Sequence, residues 1–92
     1  MIKTFKDKNA ENLYNTGHSK KYKAFERIAL RKLDMIAAAV ILEDLKAPPG
    51  NHLEVLQGDR QGQYSIRIND QYRICFIWSD GGACDIEIVD YH

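Results

Sequence analysis

Two alternating runs towards the C-terminal end constrain the fold of this chain more than any other feature. In the first, Tyr64, Ile66 and Ile68 alternate with Ser65 and Arg67. In the second, Tyr72, Ile74, Phe76 and Trp78 alternate with Arg73, Cys75 and Ile77. Period-two alternation marks strands with one buried face, and the intervening Asn69, Asp70 and Gln71 suit a hairpin loop. Taken as a three-residue loop, they pair Ile68 with Tyr72, Ile66 with Ile74 and Tyr64 with Phe76, and every large apolar side chain falls on one face. A two-residue loop at Asn69-Asp70 sets Ile66 against Arg73, and a slip of one residue turns each side chain to the wrong side. The first register is therefore expected. It places Arg67 directly opposite Arg73, where like charges cost roughly a few tenths of a kcal/mol or more unless an anion lies between them. That anion is either a carboxylate of the last strand, with Asp90 and Glu87 as candidates, or a phosphate, whose geometry guanidinium forks match.

The remaining elements follow from similar signals. Asp80-Gly81-Gly82 reads as a turn, and Ile86, Ile88 and Val89 belong to a last strand. Ile2–Lys6 reads as a short edge strand. Asn9–Thr16 reads as a short helix closed by Gly17, which suits a left-handed position after a helix. Ser19 is the expected N-cap of a longer helix, in which Tyr22, Phe25, Ala29, Leu33, Ile36 and Val40 recur at spacings of three and four. A second short helix is expected over Val40–Leu45, and Pro48-Pro49-Gly50 ends all helix. The fold class is α+β, with N-terminal helices packed on one face of a small, mainly antiparallel sheet. A chain of 92 residues has room for one core, so residues 1–92 are expected to form a single domain.

Net charge is zero, which argues against a general nucleic-acid coat. The distribution is uneven: Lys20, Lys21, Lys23, Arg27, Arg31 and Lys32 crowd one stretch, while Asp80, Asp85, Glu87 and Asp90 lie in the last thirteen residues, which hold no Lys or Arg. Such a molecule can bind a polyanion locally, although a solvated helix face carries the same pattern. No apolar run approaches the roughly 20 residues of a membrane span, and the opening residues lead into polar sequence rather than resembling a signal peptide. A cytoplasmic location and no membrane partner are expected. Cys75 and Cys84 are too few for a disulfide scaffold and are read as buried free thiols. No Cys/His spacing resembles a zinc site, so no metal or other cofactor is expected.

The chain ends Asp90-Tyr91-His92. An imidazole with an ordinary pKa of about 6.5 suits proton transfer near neutrality, and an aromatic ring can stack on an unpaired base. Beside a pair of arginines these groups could cleave RNA: a 2′-hydroxyl is deprotonated, the phosphorane charge is met by Arg, and the leaving 5′-oxygen is protonated. A frayed, solvent-exposed terminus is the plain alternative.

At this point the chain resembles the HigB toxins of the RelE/ParE superfamily. The matching motifs are Leu56-Gln57-Gly58-Asp59-Arg60, Ser65-Ile66, Asn69 through Tyr72-Arg73-Ile74-Cys75-Phe76, Trp78 and the final Asp90-Tyr91-His92. The opening Met1-Ile2-Lys3-Thr4-Phe5 and the Pro48-Pro49-Gly50-Asn51 turn are also similar. The resemblance covers essentially the whole chain with its motifs in order. It implies a RelE-like fold and metal-free cleavage of mRNA in the ribosomal A site by 2′-hydroxyl attack. It makes Arg73 the phosphate-binding arginine and Asp90, Tyr91 and His92 the C-terminal active-site residues. His92 would be the acid or base, Asp90 would tune it or hold Arg73, and Tyr91 would stack on a base or donate to the phosphate. Arg60 and Arg67 would hold the RNA backbone, and Lys20, Lys21 and Lys23 would face ribosomal RNA. Where some members carry a histidine this chain has Glu54, and where they carry a lysine it has Gln57. Glu54 is therefore a substrate-binding residue or a substitute base, and a slow toxin is expected. The implied partner is a HigA-type antitoxin with a helix-turn-helix, through which alone the toxin would reach operator DNA. A ParE-like gyrase poison and a non-catalytic co-repressor or RNA-binding module remain the alternatives.

Overall fold

The computed structural model describes residues 1–91. Two helices, α1 (Lys8–Thr16) and α2 (Glu26–Ala38), precede four strands, β1 (Glu54–Val55), β2 (Tyr64–Arg67), β3 (Tyr72–Ser79) and β4 (Gly82–Asp90). The strands form one antiparallel sheet in the order β1-β2-β3-β4. Ile66, Ile74, Phe76, Ile86 and Ile88 face the helices and pack with Leu13, Ala29, Leu33 and Ile36. Pairing of β2 with β3 follows the expected register, Tyr64 with Phe76, Ile66 with Ile74 and Arg67 with Arg73.

Helix α1 starts at Asp7, an N-cap that the sequence reading passed over. One carboxylate oxygen accepts from the backbone N–H groups of Asn9 (2.9 Å) and Ala10 (3.2 Å). The other accepts from the Tyr22 hydroxyl at 2.6 Å and from the Ile88 N–H at 3.2 Å. A single carboxylate thus joins the start of α1, the segment before α2 and the end of β4. Gly17 closes α1 with φ 81°, as expected, and its N–H meets Leu13 O.

The long helix differs from expectation at both ends. Ser19 accepts from Tyr22 N–H but caps no α-helix; a 3-10 turn, Lys23–Phe25, intervenes, and α2 begins at Glu26. The cause is a stack of rings. Phe25 lies 4.5 Å from the Tyr72 ring and 5.6 Å from Tyr22, and its φ of −137° is not helical. At the other end the chain leaves α2 at Ala39, so Val40 is off the apolar stripe and 75% exposed. Asp44 accepts from the Val40 and Ile41 N–H groups, and the expected Val40–Leu45 helix is a 3-10 helix over Leu42–Lys46. Ile2–Lys6 is not a strand of its own: Ile2 and Phe5 make isolated parallel bridges to Ala83 and Ile86 of β4.

The proline turn is anchored by Asn51, which is fully buried. Its amide donates to Leu45 O and Ala47 O, both at 3.2 Å, and its side-chain oxygen accepts from Lys32 Nζ at 2.5 Å. At the far end of the sheet, Asp80 and Gly81 both have positive φ (51° and 77°) and join Ser79 to Gly82 in a two-residue turn, the geometry whose twist matches its strands.

Asp7→Ala removes four hydrogen bonds at once, one set of them a helix cap. We expect a loss of about 2–4 kcal/mol, from a cap worth ~1 kcal/mol and buried donors left unmet, measured by urea unfolding; a loss under 0.5 kcal/mol would contradict this role. Burial and the bond to Asp7 hold the Tyr22 phenol well above its ordinary value of 10.0. A raised pKa favours the neutral form in the folded state, so its stabilisation is present below about pH 10 and lost as pH rises above it. Tyr22→Phe should flatten that alkaline fall in an unfolding series from pH 8 to 11.

Candidate functional site

The sheet face away from the helices gathers charge. Glu54 pairs with Ser65, Ser65 with Cys75, Cys75 with Glu87 and Arg67 with Arg73, so all six lie on this outer face. A β-bulge decides what joins them from β4. Ile77 pairs with Cys84, but Cys75 pairs with Glu87, leaving the single residue Phe76 against Asp85 and Ile86, and Asp85 has φ 51°. One extra residue reverses the alternation beyond it. Glu87, Val89 and Tyr91 then follow Cys84 onto the outer face, while Asp90 sits opposite Tyr72 on the helix face.

Arg73 is the centre of the outer face and only 7% exposed. Its Nε donates to Ser65 Oγ at 2.8 Å, and its Nη2 donates to the His52 carbonyl and, at 3.4 Å, to Ser65 O. Glu54 Oε1 stands 3.8 Å from Nη2. The Tyr91 ring centroid lies 5.7 Å from the guanidinium carbon, and the Tyr91 N–H donates to Gln71 O at 2.6 Å, which fixes the chain there. The His52 carbonyl points inward because His52 is left-handed, φ 45°, a conformation that costs a non-glycine residue roughly 1–2 kcal/mol.

The expected carboxylate between Arg67 and Arg73 is neither Asp90 nor Glu87. Arg67 turns to its own hairpin loop, donating to Asn69 O at 3.2 Å and pairing with Asp70. Glu87 is taken by Arg60 at 3.4 Å and Lys6 at 3.3 Å. Asp90 accepts from the Gln71 side chain at 3.0 Å. The repulsion of the two arginines is relieved by separate local partners. Arg60 also donates to Gln63. Burial works against its charge, but the Glu87 carboxylate, together with Cys75 and Tyr91, keeps the Arg60 pKa raised.

The outer face therefore brings together Arg73, Tyr91, Glu54, Arg60 and Arg67 of the predicted site residues. Asp90 starts from the opposite face, and His92 lies outside the described residues. Lys20, Lys21 and Lys23 are exposed on the helix side. Lys20 and Lys23 line an open groove of about 420 Å³ with His18 and Glu26, whereas Lys21 lies 5.5 Å over the Tyr22 ring. The Glu26 carboxyl is held below its usual range first by the Ser19 N–H and then by His18. Ser65 and His52 were missed as site residues. Ser65 sits diagonal to Arg73 in the outward row, a visible signal; the His52 contact runs through a backbone carbonyl, which side-chain patterns do not report.

A family model described as the RelE-like toxin of type II toxin-antitoxin system HigB matches residues 3–92. The Toxin HigB-1 of Vibrio cholerae serotype O1 is 42% identical over 85 residues, 90% of this chain and 90% of its own. The Endoribonuclease HigB of Proteus vulgaris is 34% identical over 94 residues, covering 100% of both chains. Among solved structures, the YoeB-YefM complex from Staphylococcus aureus is similar with a TM-score of 0.62 at 18% identity, over 100% of this chain and 98% of that one. A YafQ variant from E. coli reaches 0.57 at 13% identity, over 98% and 93%. These structural likenesses show a shared fold.

Cys75 is fully buried beneath this site and Cys84 only partly, so the expectation of two buried thiols holds for Cys75 alone. Burial pushes the Cys75 thiol up from its ordinary value. In the folded protein, a thiol reagent at pH 8 should modify Cys84 and reach Cys75 only on unfolding. Equal rates at both positions would contradict the packing of the outer face.

Proposed function

The chain belongs to the HigB-like family of RelE-like toxins of type II toxin–antitoxin systems, and from that premise we propose that it is an endoribonuclease that cuts mRNA in the ribosomal A site. The observation that carries this reading is Arg73, a guanidinium held 7% exposed by internal partners, with the Tyr91 ring and the Glu54 carboxylate beside it. The name of the Proteus vulgaris relative supports the same reaction class.

In this reading the scissile phosphate binds to Arg73. The neighbouring 2′-hydroxyl attacks phosphorus in line and gives up its proton. The bond to the 5′-oxygen breaks, and that oxygen takes a proton as it leaves. A 2′,3′-cyclic phosphate or its 3′-phosphate and a 5′-hydroxyl are the products. A preorganised cation at the developing phosphorane charge is the main catalytic term, and because a guanidinium supplies it, the reaction needs no metal. His92, tuned by Asp90, carries one of these two protons, as base at the 2′-hydroxyl or as acid at the leaving 5′-oxygen. Tyr91 stacks on a base, and Glu54 contacts the substrate or serves as the base when His92 is the acid. Arg60 and Arg67 hold the RNA backbone by exchanging an internal carboxylate, Glu87 or Asp70, for a phosphate. Lys20, Lys21 and Lys23 face ribosomal RNA. With zero net charge, the protein depends on the ribosome for binding and alignment. It acts in the cytoplasm, and a HigA-type helix-turn-helix antitoxin neutralises it and links it to operator DNA.

The test is cleavage of ribosome-bound mRNA by the wild type, by Arg73→Ala and by a chain lacking His92. We expect cuts within the A-site codon by the wild type and a fall of about a hundredfold or more in each variant, the size of a lost electrostatic or proton-transfer contribution. A wild type that binds ribosomes without cutting would move the protein to a non-catalytic binding role.

A further inference from the structure

Arg73 offers five N–H groups in a fixed fork, and the protein uses them unequally. Nε and Nη2 form one edge of the guanidinium. That edge is committed internally: Nε to Ser65 Oγ at 2.8 Å, and Nη2 to the His52 carbonyl and to Ser65 O at 3.4 Å. Among the described residues no protein acceptor meets Nη1. Every fully buried polar side-chain atom there has a partner, so Nη1 is open to solvent. The buried arginine thus presents one donor end outward.

We propose that Ser65 is the positioning residue for the reaction: its hydroxyl and carbonyl hold the inner edge of Arg73, so that Nη1 alone is presented to one non-bridging oxygen of the scissile phosphate. This rests on the ribonuclease reading and specifies which atoms serve it. Ser65 is fully buried and stands on β2, a strand of the sheet rather than a loop, so its hydroxyl is rigidly placed. It does not touch substrate. Removing the hydroxyl leaves Nε without its acceptor in a site closed to water, and the guanidinium must turn to satisfy it. A misplacement of about 1 Å at such a contact can cost on the order of a hundredfold in rate. The His52 and Ser65 carbonyls that remain cannot prevent the turn, because both bind Nη2 and leave the plane free to pivot about that one nitrogen.

The experiment compares Ser65→Thr with Ser65→Val. These two replacements have nearly the same shape and differ in the hydroxyl, so a packing effect is common to both. Each is assayed on ribosome-bound mRNA carrying a phosphorothioate at the cut site, as separate diastereomers, with the melting temperature recorded. If Nη1 binds one oxygen, the wild type and Ser65→Thr should prefer one diastereomer by about tenfold. Ser65→Val should lose that preference, with a kcat reduced by about tenfold to a hundredfold and a KM changed by less than threefold. A purely structural role would lower both melting temperatures and leave the preference intact. Should the β-branched pair fail to fold, Ser65→Ala, which only removes volume, is read in the same way against the wild type. Equal kcat and equal preference in the hydroxyl-bearing and hydroxyl-free proteins would overturn the proposal while the ribonuclease reading stood. A wild type without cleavage would overturn both.

Discussion

A guanidinium taken almost wholly out of water must have partners, because an unpaired buried charge costs several kcal/mol. Arg73 is such a group, and much of the chain is arranged around satisfying it. The three-residue loop sets the register that turns Arg73 to the outer face. Ser65 on β2 supplies one acceptor, and the left-handed backbone at His52 supplies another. His52 is in place because the preceding Asn51 is clamped between Leu45 O, Ala47 O and Lys32. Thus a buried amide on the helix side fixes a turn, the turn aims a carbonyl, and the carbonyl helps to seat the one arginine on which the proposed chemistry depends.

The other charges of the outer face balance locally. Arg67 is tied to Asp70, and Glu87 is shared by Arg60 and Lys6. Arg67–Asp70 and Lys6–Glu87 each have a well-exposed partner, and such pairs contribute at most about 1 kcal/mol each, so a polyanion can replace them at little cost; Arg60–Glu87 is partly buried. The Arg73 contacts are different in kind, being buried and largely made to neutral oxygens, which leaves the guanidinium its positive charge. A neutral cradle around a fixed cation is suited to a phosphate. The Glu54 carboxylate at 3.8 Å is half exposed and can move aside.

The sheet was legible in the sequence and the helical half less so, for physical reasons. Alternation with period two fixes both register and face, and the apolar set from Tyr64 to Phe76 admits only one pairing. The start of α2 was not legible because the Phe25–Tyr72 ring stack overrides Ser19 as a cap, and nothing local signals a contact to a strand far along the chain. Val40 has the right spacing for the stripe, yet the helix ends before it. Of the site, Arg73 and its neighbours on β2 and β3 were readable. The face taken by the C-terminal residues was not, because it turns on a single bulge at Asp85. Without that bulge Asp90 would join Arg73; with it Tyr91 does.

The central claim is that RNA meets this protein on the outer sheet face at Arg73. The most direct measurement is a cryo-electron microscopy structure of the protein on a ribosome whose A-site codon is 2′-O-methylated and so cannot be cut. The account predicts the scissile phosphate within hydrogen-bond distance of Arg73 Nη1, with Tyr91 against a base. Density placing the mRNA on the helix side, with the outer face turned to solvent, would contradict it.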